Sequence, residues 1–190
     1  MNDFAYAMEE DNEDYEVING QVYMMSRPST AHMKVELNIA TIFKIYLKGK
    51  SCVPFNENDV FFDDDNNFVP DVMIVCNPDI IKERGIFGTP DLVVEILSPS
   101  TAIKDKMDKF FAYERYGVKE YWIVSPREKS VEVYQLKEGK LERAGYYQYY
   151  TAEEYADLTE KQKALAKREI KVSLYDDLYV TLEDIFENVK

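Results

Sequence analysis

The chain has 190 residues, 46% of them hydrophobic and 14% aromatic, with 15 Tyr and 10 Phe. This suits one globular domain with a full apolar core and excludes a disordered chain. The formal net charge is −13 and the isoelectric point about 4.6. Nucleic acid is therefore repelled at long range, and any nucleic-acid chemistry has to rest on a local basic patch or on metal ions.

Residues 1–14 read as a loose acidic tail with no signal-peptide pattern, and residues 15–190 as a single domain. YEVINGQVYMM predicts a hairpin, because two β-rich arms flank Asn19-Gly20, a pair suited to a type I′ turn. RPSTAHMKVELNIATIFKIYLKGK predicts a helix capped by Ser29 or Thr30. Its apolar stripe is Met33, Leu37, Ala40, Phe43 and Leu47, and Gly49 is its stop. SCVPFNENDVFFDDDNNFVPDVMIVC predicts two strands joined by the turn DDDNN, and a loop follows to Pro90. DLVVEILS is a continuous apolar strand, the pattern of one covered on both faces.

STAIKDKMDKFFAYERYG predicts a helix with Ser100 as cap and Gly117 as stop. EYWIVSP predicts a strand, and SVEVYQLKEGKLERAGYYQYY a hairpin turning at Glu138-Gly139. TAEEYADLTEKQKALAKRE predicts one exposed helix, and KVSLYDDLYVTLEDIFENVK closes with short strands and a helical turn. The fold class is α/β (α+β), a central mixed sheet with two main helices covering it. Two cysteines, Cys52 and Cys76, have no close spacing and no nearby histidine pair, so reduced thiols in a cytoplasm are expected. No stretch approaches the length of a membrane span.

Glu95 lies in the middle of LVVEIL, where an ionised carboxylate is costly unless a cation or a metal ion pairs with it. Two Pro-Asp pairs compete as its partner. Asp91 shares its strand face but lies about 13 Å away at ~3.3 Å per residue, too far to share one ion. Asp91 therefore reads as a strand-entry residue. Asp71 lies on another strand, and neighbouring strands run ~4.8 Å apart, so Asp71 and Glu95 can converge on one cation. Hard oxygen ligands without a thiol suit Mg²⁺ or Mn²⁺.

FVPDVMIV, GTPDLVVEILSPST and KDKMDKFFAYERYGVKEYWIVSP together resemble the Uma2 family of restriction-endonuclease-like proteins, within the PD-(D/E)XK nuclease superfamily. The resemblance runs from YEVINGQVYMMS to DDLYVTLEDIF. It implies a restriction-endonuclease-like fold and Mg²⁺-dependent DNA hydrolysis. Asp71 and Glu95 would be the metal ligands and catalytic acids, and Lys109 the catalytic lysine. The superfamily pattern puts lysine two residues after the second acid, where this chain has Leu97. In Uma2 a lysine on the following helix is thought to take over, and Lys109 matches it.

Accessory candidates are His32, Glu36, Ser98 and Asp105. His32 and Glu36 are one turn apart and read either as a metal-framing pair or as a hydrogen-bonded helix-start pair. Asp105 and Lys109 also fit a plain surface ion pair. Ser98 reads either as a phosphate-orienting hydroxyl or as a turn hydroxyl. A DNA substrate requires a basic rim, expected from Lys104, Lys106, Lys109 and Arg115. Duplex cleavage implies a homodimer, and no membrane partner is expected. The competing reading is a catalytically inactive interaction module that kept the fold. A third, an unrelated sheet protein, would show Arg or Lys directly on Glu95.

Overall fold

The computed structural model describes residues 15–99 and 102–189, so the expected tail at 1–14 and the expected cap Ser100 lie outside the described residues. The N-terminal hairpin forms as read: β1 (Tyr15–Ile18) pairs with β2 (Gln21–Met24), and Asn19 and Gly20 both take positive φ at the turn. Helix α1 (Thr30–Tyr46) starts at Ser29, whose side chain accepts the His32 N–H. Its buried stripe is not the expected one. Val35, Ile39 and Phe43 are buried, while Met33 and Leu37 are 56% and 66% exposed. Phe43 and Leu47 of the expected stripe are buried and Ala40 packs against the core, so the stripe differs at Met33 and Leu37.

Four strands replace the two expected over residues 51–76: β3 (Val53–Asn56), β4 (Val60–Asp63), β5 (Asn66–Phe68) and β6 (Val72–Val75). The Asp-rich turn does join two strands, β4 and β5, and two unforeseen breaks, after Asn56 and after Phe68, set off β3 and β6. The segment before Pro90 carries a short hairpin, β7 (Ile81–Lys82) with β8 (Gly85–Phe87). Gly85 is required there, since a Cβ would lie 2.6 Å from the Asp59 carbonyl and φ is +136°.

The remaining elements are β9 (Leu92–Ile96), α2 (residues 102–116), β10 (Glu120–Ser125), β11 (Ser130–Lys137) and β12 (Lys140–Gln148). Then come α3 (Ala152–Ala156), α4 (Glu160–Leu165), β13 (Glu169–Lys171), β14 (Tyr179–Thr181) and α5 (Leu182–Ile185). The single charged helix expected here is two, because Thr151 and Thr159 each form their own capping box. Gly117 closes α2 in the left-handed region, as expected.

The central sheet runs β12-β11-β10-β9-β6-β3, with β9 parallel to β10 and the other pairs antiparallel. Alternation splits its side chains between two apolar layers. Val72, Ile74, Val94, Ile96 and Trp122 face α1 and the C-terminal elements. Met73, Val75, Val93, Tyr121 and Ile123 face a layer containing Tyr113 of α2 and Phe68 of the second sheet. That second sheet runs β2-β1-β5-β4-β8-β7. β9 is thus covered on both faces, which explains its unbroken apolar run.

Cys52 and Cys76 form a disulfide, correcting the expectation of reduced thiols. They flank the β3–β6 ladder, in which Val53 faces Val75, so the antiparallel register brings them together. Their distance in sequence carries no trace of that. Among the described residues no helix is long and apolar enough to cross a membrane.

Phe43 is fully buried with its ring edge-on to Trp122 at 5.9 Å between centroids. Phe43→Ala should cost about 3–5 kcal/mol in urea unfolding. Leu37→Ala, on the exposed side, should stay within about 0.5 kcal/mol. Equal losses would restore the stripe read from the sequence.

Candidate active site

Glu95 is 3% exposed and faces the layer that holds α2 and the second sheet. Two donors meet its Oε1: the Lys109 ammonium at 2.9 Å and the Tyr113 hydroxyl at 2.5 Å. Burial pushes the Glu95 carboxyl well above its ordinary range; Lys109 opposes this, and Asp105, Asp71 and Glu16 reinforce it. Burial would lower the Lys109 pKa, but the carboxylates of Glu95, Glu16 and Asp105 outweigh it and hold the ammonium well above its ordinary value. Burial first, then Glu95, raises the Tyr113 pKa, so it stays a neutral donor.

Lys109 reaches this position because α2 widens into a π turn over Asp105–Lys109. Both ends of that turn are buried, Asp105 at 2% and Lys109 at 3%, and their charged atoms lie 3.9 Å apart. The pair is therefore not the surface ion pair that its spacing also allows. π turns inside α-helices recur at functional sites.

The third carboxylate is Glu16 of β1, a residue that nothing in the sequence pattern singles out. Its Oε1 lies 2.5 Å from Lys109 Nζ and accepts the Val69 N–H at 3.0 Å, and its Oε2 takes Lys104 at 2.8 Å. Burial alone would raise its pKa, but the two ammonium groups prevail and lower it. Parity in YEVI allows either Tyr15 and Val17 or Glu16 and Ile18 as the buried pair, and the structure buries Glu16 and Ile18. Tyr113 was missed too, hidden among the aromatics of FFAYERY.

Asp71 is the fourth. In the β6–β9 ladder Val72 faces Val94 and Met73 faces Val93, so one further step sets Asp71 opposite Glu95, on the same face. Its Oδ2 accepts the Ile96 N–H at 2.5 Å and its Oδ1 lies 2.9 Å from His32 Nε2. His32 therefore pairs with Asp71 and not with Glu36, correcting the helix-start pair. Burial would lower the imidazole pKa, but the Asp71 carboxylate raises it, helped by Glu36 and Glu57. Glu36 accepts from Asn56 at 3.0 Å, and burial, with Glu57 and Asp71 nearby, pushes its carboxyl up.

Asp91 is structural, as expected. It accepts from Cys76 N–H at 2.7 Å and from Lys119 at 2.7 Å. The Ser98 carbonyl accepts the Ala102 N–H, opening α2. The expected basic rim does not form from the named residues. Lys104 is held by Glu16, Lys106 by Glu132, Lys109 is buried, and Arg115 stacks on Tyr116. The three lysines answer carboxylates of the chain itself.

A family model described as "Uma2: Putative restriction endonuclease" matches residues 1–173. The chain belongs to the Uma2 family. An uncharacterized protein of Synechocystis sp., slr1290, is 31% identical over 130 residues, 66% of this chain and 68% of that one. The crystal structure of "a putative nuclease belonging to DUF820" from Anabaena variabilis superposes with a TM-score of 0.69. It shares 20% identity and covers 90% of this Uma2 chain and 89% of its own. The mixed sheet flanked by helices is thus a nuclease-like, restriction-endonuclease-like fold. The lysine on Glu95 is what an unrelated sheet protein would also show, and family membership removes that reading.

Among the described residues no set of three or more His, Cys, Asp or Glu is arranged to hold a metal ion. Mg²⁺ does not require one, because it is commonly held by one or two carboxylates, with waters and substrate phosphates completing the shell. Asp71 and Glu95, hard oxygen donors facing each other across adjacent strands, fit that chemistry. The charge balance fits as well. Lys104 and Lys109 answer Glu16, Glu95 and Asp105, and His32 answers Asp71, so four carboxylates face three basic groups.

Glu16→Gln leaves Lys104 without its carboxylate and Lys109 with one fewer. The loss should be on the order of 3 kcal/mol at neutral pH. Because the folded pKa of Glu16 lies below its ordinary 4.5, its contribution is present above that value and lost as pH falls through the folded pKa. Stability curves of the two proteins should converge in acid, as measured by urea unfolding against pH. A gap that persists in acid would mean the carboxylate charge is not its source.

Proposed function

We propose that this Uma2 protein is a nuclease that hydrolyses DNA phosphodiester bonds with Mg²⁺ or Mn²⁺. The observation that carries the reading is the facing pair Asp71 and Glu95 within a cluster richer in carboxylates than in cations. Asp71 and Glu95 would hold the ion, which when bound lowers the pKa of a water and polarises the phosphate.

The chain's own groups set up that pair. Lys109 and Tyr113 fix Glu95 through Oε1. His32 and the Ile96 N–H fix Asp71 through one oxygen each. Buried between Glu95 and Glu16, Lys109 serves the reaction by orienting Glu95 and lowering the cost of its charge. Cleaving both strands of a duplex implies a homodimer. The reading implies action in a bacterial cytoplasm, where the Cys52–Cys76 bridge is an unusual feature.

One observation favours a second reading, an inactive interaction module: the cations nearest the site are committed to carboxylates of the chain. Mn²⁺ binding and cleavage, measured together, separate the two. At a hundredfold excess over Kd, bound ion adds about 2.7 kcal/mol, which for a domain of this size raises the melting temperature by on the order of 5–10 °C. Wild type should show that shift and should nick plasmid DNA with Mg²⁺. Asp71→Asn, whose amide oxygen still accepts from Ile96, should keep the fold and lose both. A metal-induced shift without cleavage would favour the inactive module, and a melting curve indifferent to Mn²⁺ would sink both the site and the nuclease.

A further inference from the structure

We propose that a groove at the β12 edge of the central sheet holds the phosphates of a single nucleic-acid strand on its way to the Asp71–Glu95 end. The proposal rests on the nuclease reading for its substrate class. The groove has a volume of about 740 Å³ and includes Lys167, Arg168 and Lys171 among its lining residues, with Tyr147 and Tyr179. Glu169 and Glu183 line it too, so three cations stand against two carboxylates, a small local excess of positive charge in a chain of net charge −13.

The groove is built on fixed elements. In the β13–β14 ribbon Lys171 faces Tyr179, while Ile170 and Val180 point into the core. Tyr147 is the floor, 9% exposed. It lies where a Cβ on residue 145 would come within 2.5 Å, so Gly145 makes room for the ring. Tyr179, 47% exposed, is the platform on which a base can stack.

The cations differ in their engagement. Arg168 is paired with Glu183, which also lines the groove. Lys171 lies 4.0 Å from Asp176, a surface pair at half exposure that a phosphate can displace. The Lys167 ammonium sits 5.6 Å from the centre of the Tyr147 ring.

Register connects this groove with the candidate site. Tyr147 faces Val131, Val131 faces Val124, and Val124 faces Ile96, whose N–H is held by Asp71. The groove therefore lies at the same end of the sheet as Asp71 and Glu95, three strands away, about 14 Å at ~4.8 Å per strand. A stacked strand rising ~3.4 Å per nucleotide covers that lateral distance in about four nucleotides, and crossing to the other face adds to the count. Tyr147 and Glu95 point to opposite faces, so the strand crosses the sheet end.

Binding of a fluorescein-labelled single-stranded oligodeoxynucleotide, followed by anisotropy in EDTA across a salt series, tests this. Lys167→Ala with Lys171→Ala should weaken binding about tenfold or more at low salt. It should also flatten the dependence of log K on log salt by about 1.4, at ~0.7 for each phosphate no longer neutralised. Tyr179→Ala should weaken binding without changing that slope. These side chains are exposed, so the melting temperature checks that the fold is kept. Affinity and slope unchanged in the double variant, or no binding by wild type, would overturn the groove.

Cleavage of the same oligonucleotide with Mg²⁺ separates the two proposals. A wild type that does not cleave, with binding still weakened in the double variant, sinks the nuclease and keeps the groove. A wild type that cleaves, matched by the double variant in binding and cleavage, sinks the groove and keeps the nuclease.

Discussion

A lysine ammonium at 3% exposure persists only when carboxylates answer it on several sides. Lys109 meets Glu95 from β9, Glu16 from β1 and Asp105 from its own turn. That one charge ties together the central sheet, the N-terminal hairpin and α2. It also accounts for the π turn, which directs both ends of the Asp105–Lys109 segment inward. Without Lys109, Glu95 would keep only the Tyr113 hydroxyl, and burial would favour its neutral form still more strongly.

The excess of carboxylates around this lysine is hard to understand as a purely structural device. A fold-stabilising ion pair needs one acid per base and is often replaceable by apolar packing. Here several acids converge on the end of the sheet where β6 and β9 meet, and the cations expected to line the rim are spent within the chain. An acidic cluster of that kind has the donor chemistry of a divalent-ion site and not of a phosphate site. On the proposed nuclease reading, substrate attraction would come from a bound ion and from cations farther away.

Much of this was legible in the sequence. Asn19-Gly20, Gly117 and Glu138-Gly139 marked their turns because each needs a backbone conformation that few residues accept. Glu95 announced itself by interrupting an apolar run, and strand spacing singled out Asp71 over Asp91. The rest depended on information that periodicity does not carry. Glu16 sits in a strand whose alternation fits either face, and only its contact with Lys109 decides which. His32 looked toward Glu36 along the helix, but its partner is on a neighbouring strand. The stripe of α1 was displaced because Met33 and Leu37 are apolar yet face outward. Cys52 and Cys76 meet only through the β3–β6 register.

The contribution of β1 also sets an order in time. Chains are synthesised from the N-terminus, so the hairpin carrying Glu16 emerges long before Lys109 exists. It cannot be completed as a local unit, since its buried carboxylate has no cation until α2 has been made. A nascent chain that has reached β10 already holds Asp71 and Glu95 on paired strands, and it closes the site only when the earliest segment folds back onto one of the later ones. The charge cluster thus joins the N-terminal hairpin to the middle of the chain, and a chain interrupted before α2 would lack the lysines that answer Glu16 and Glu95.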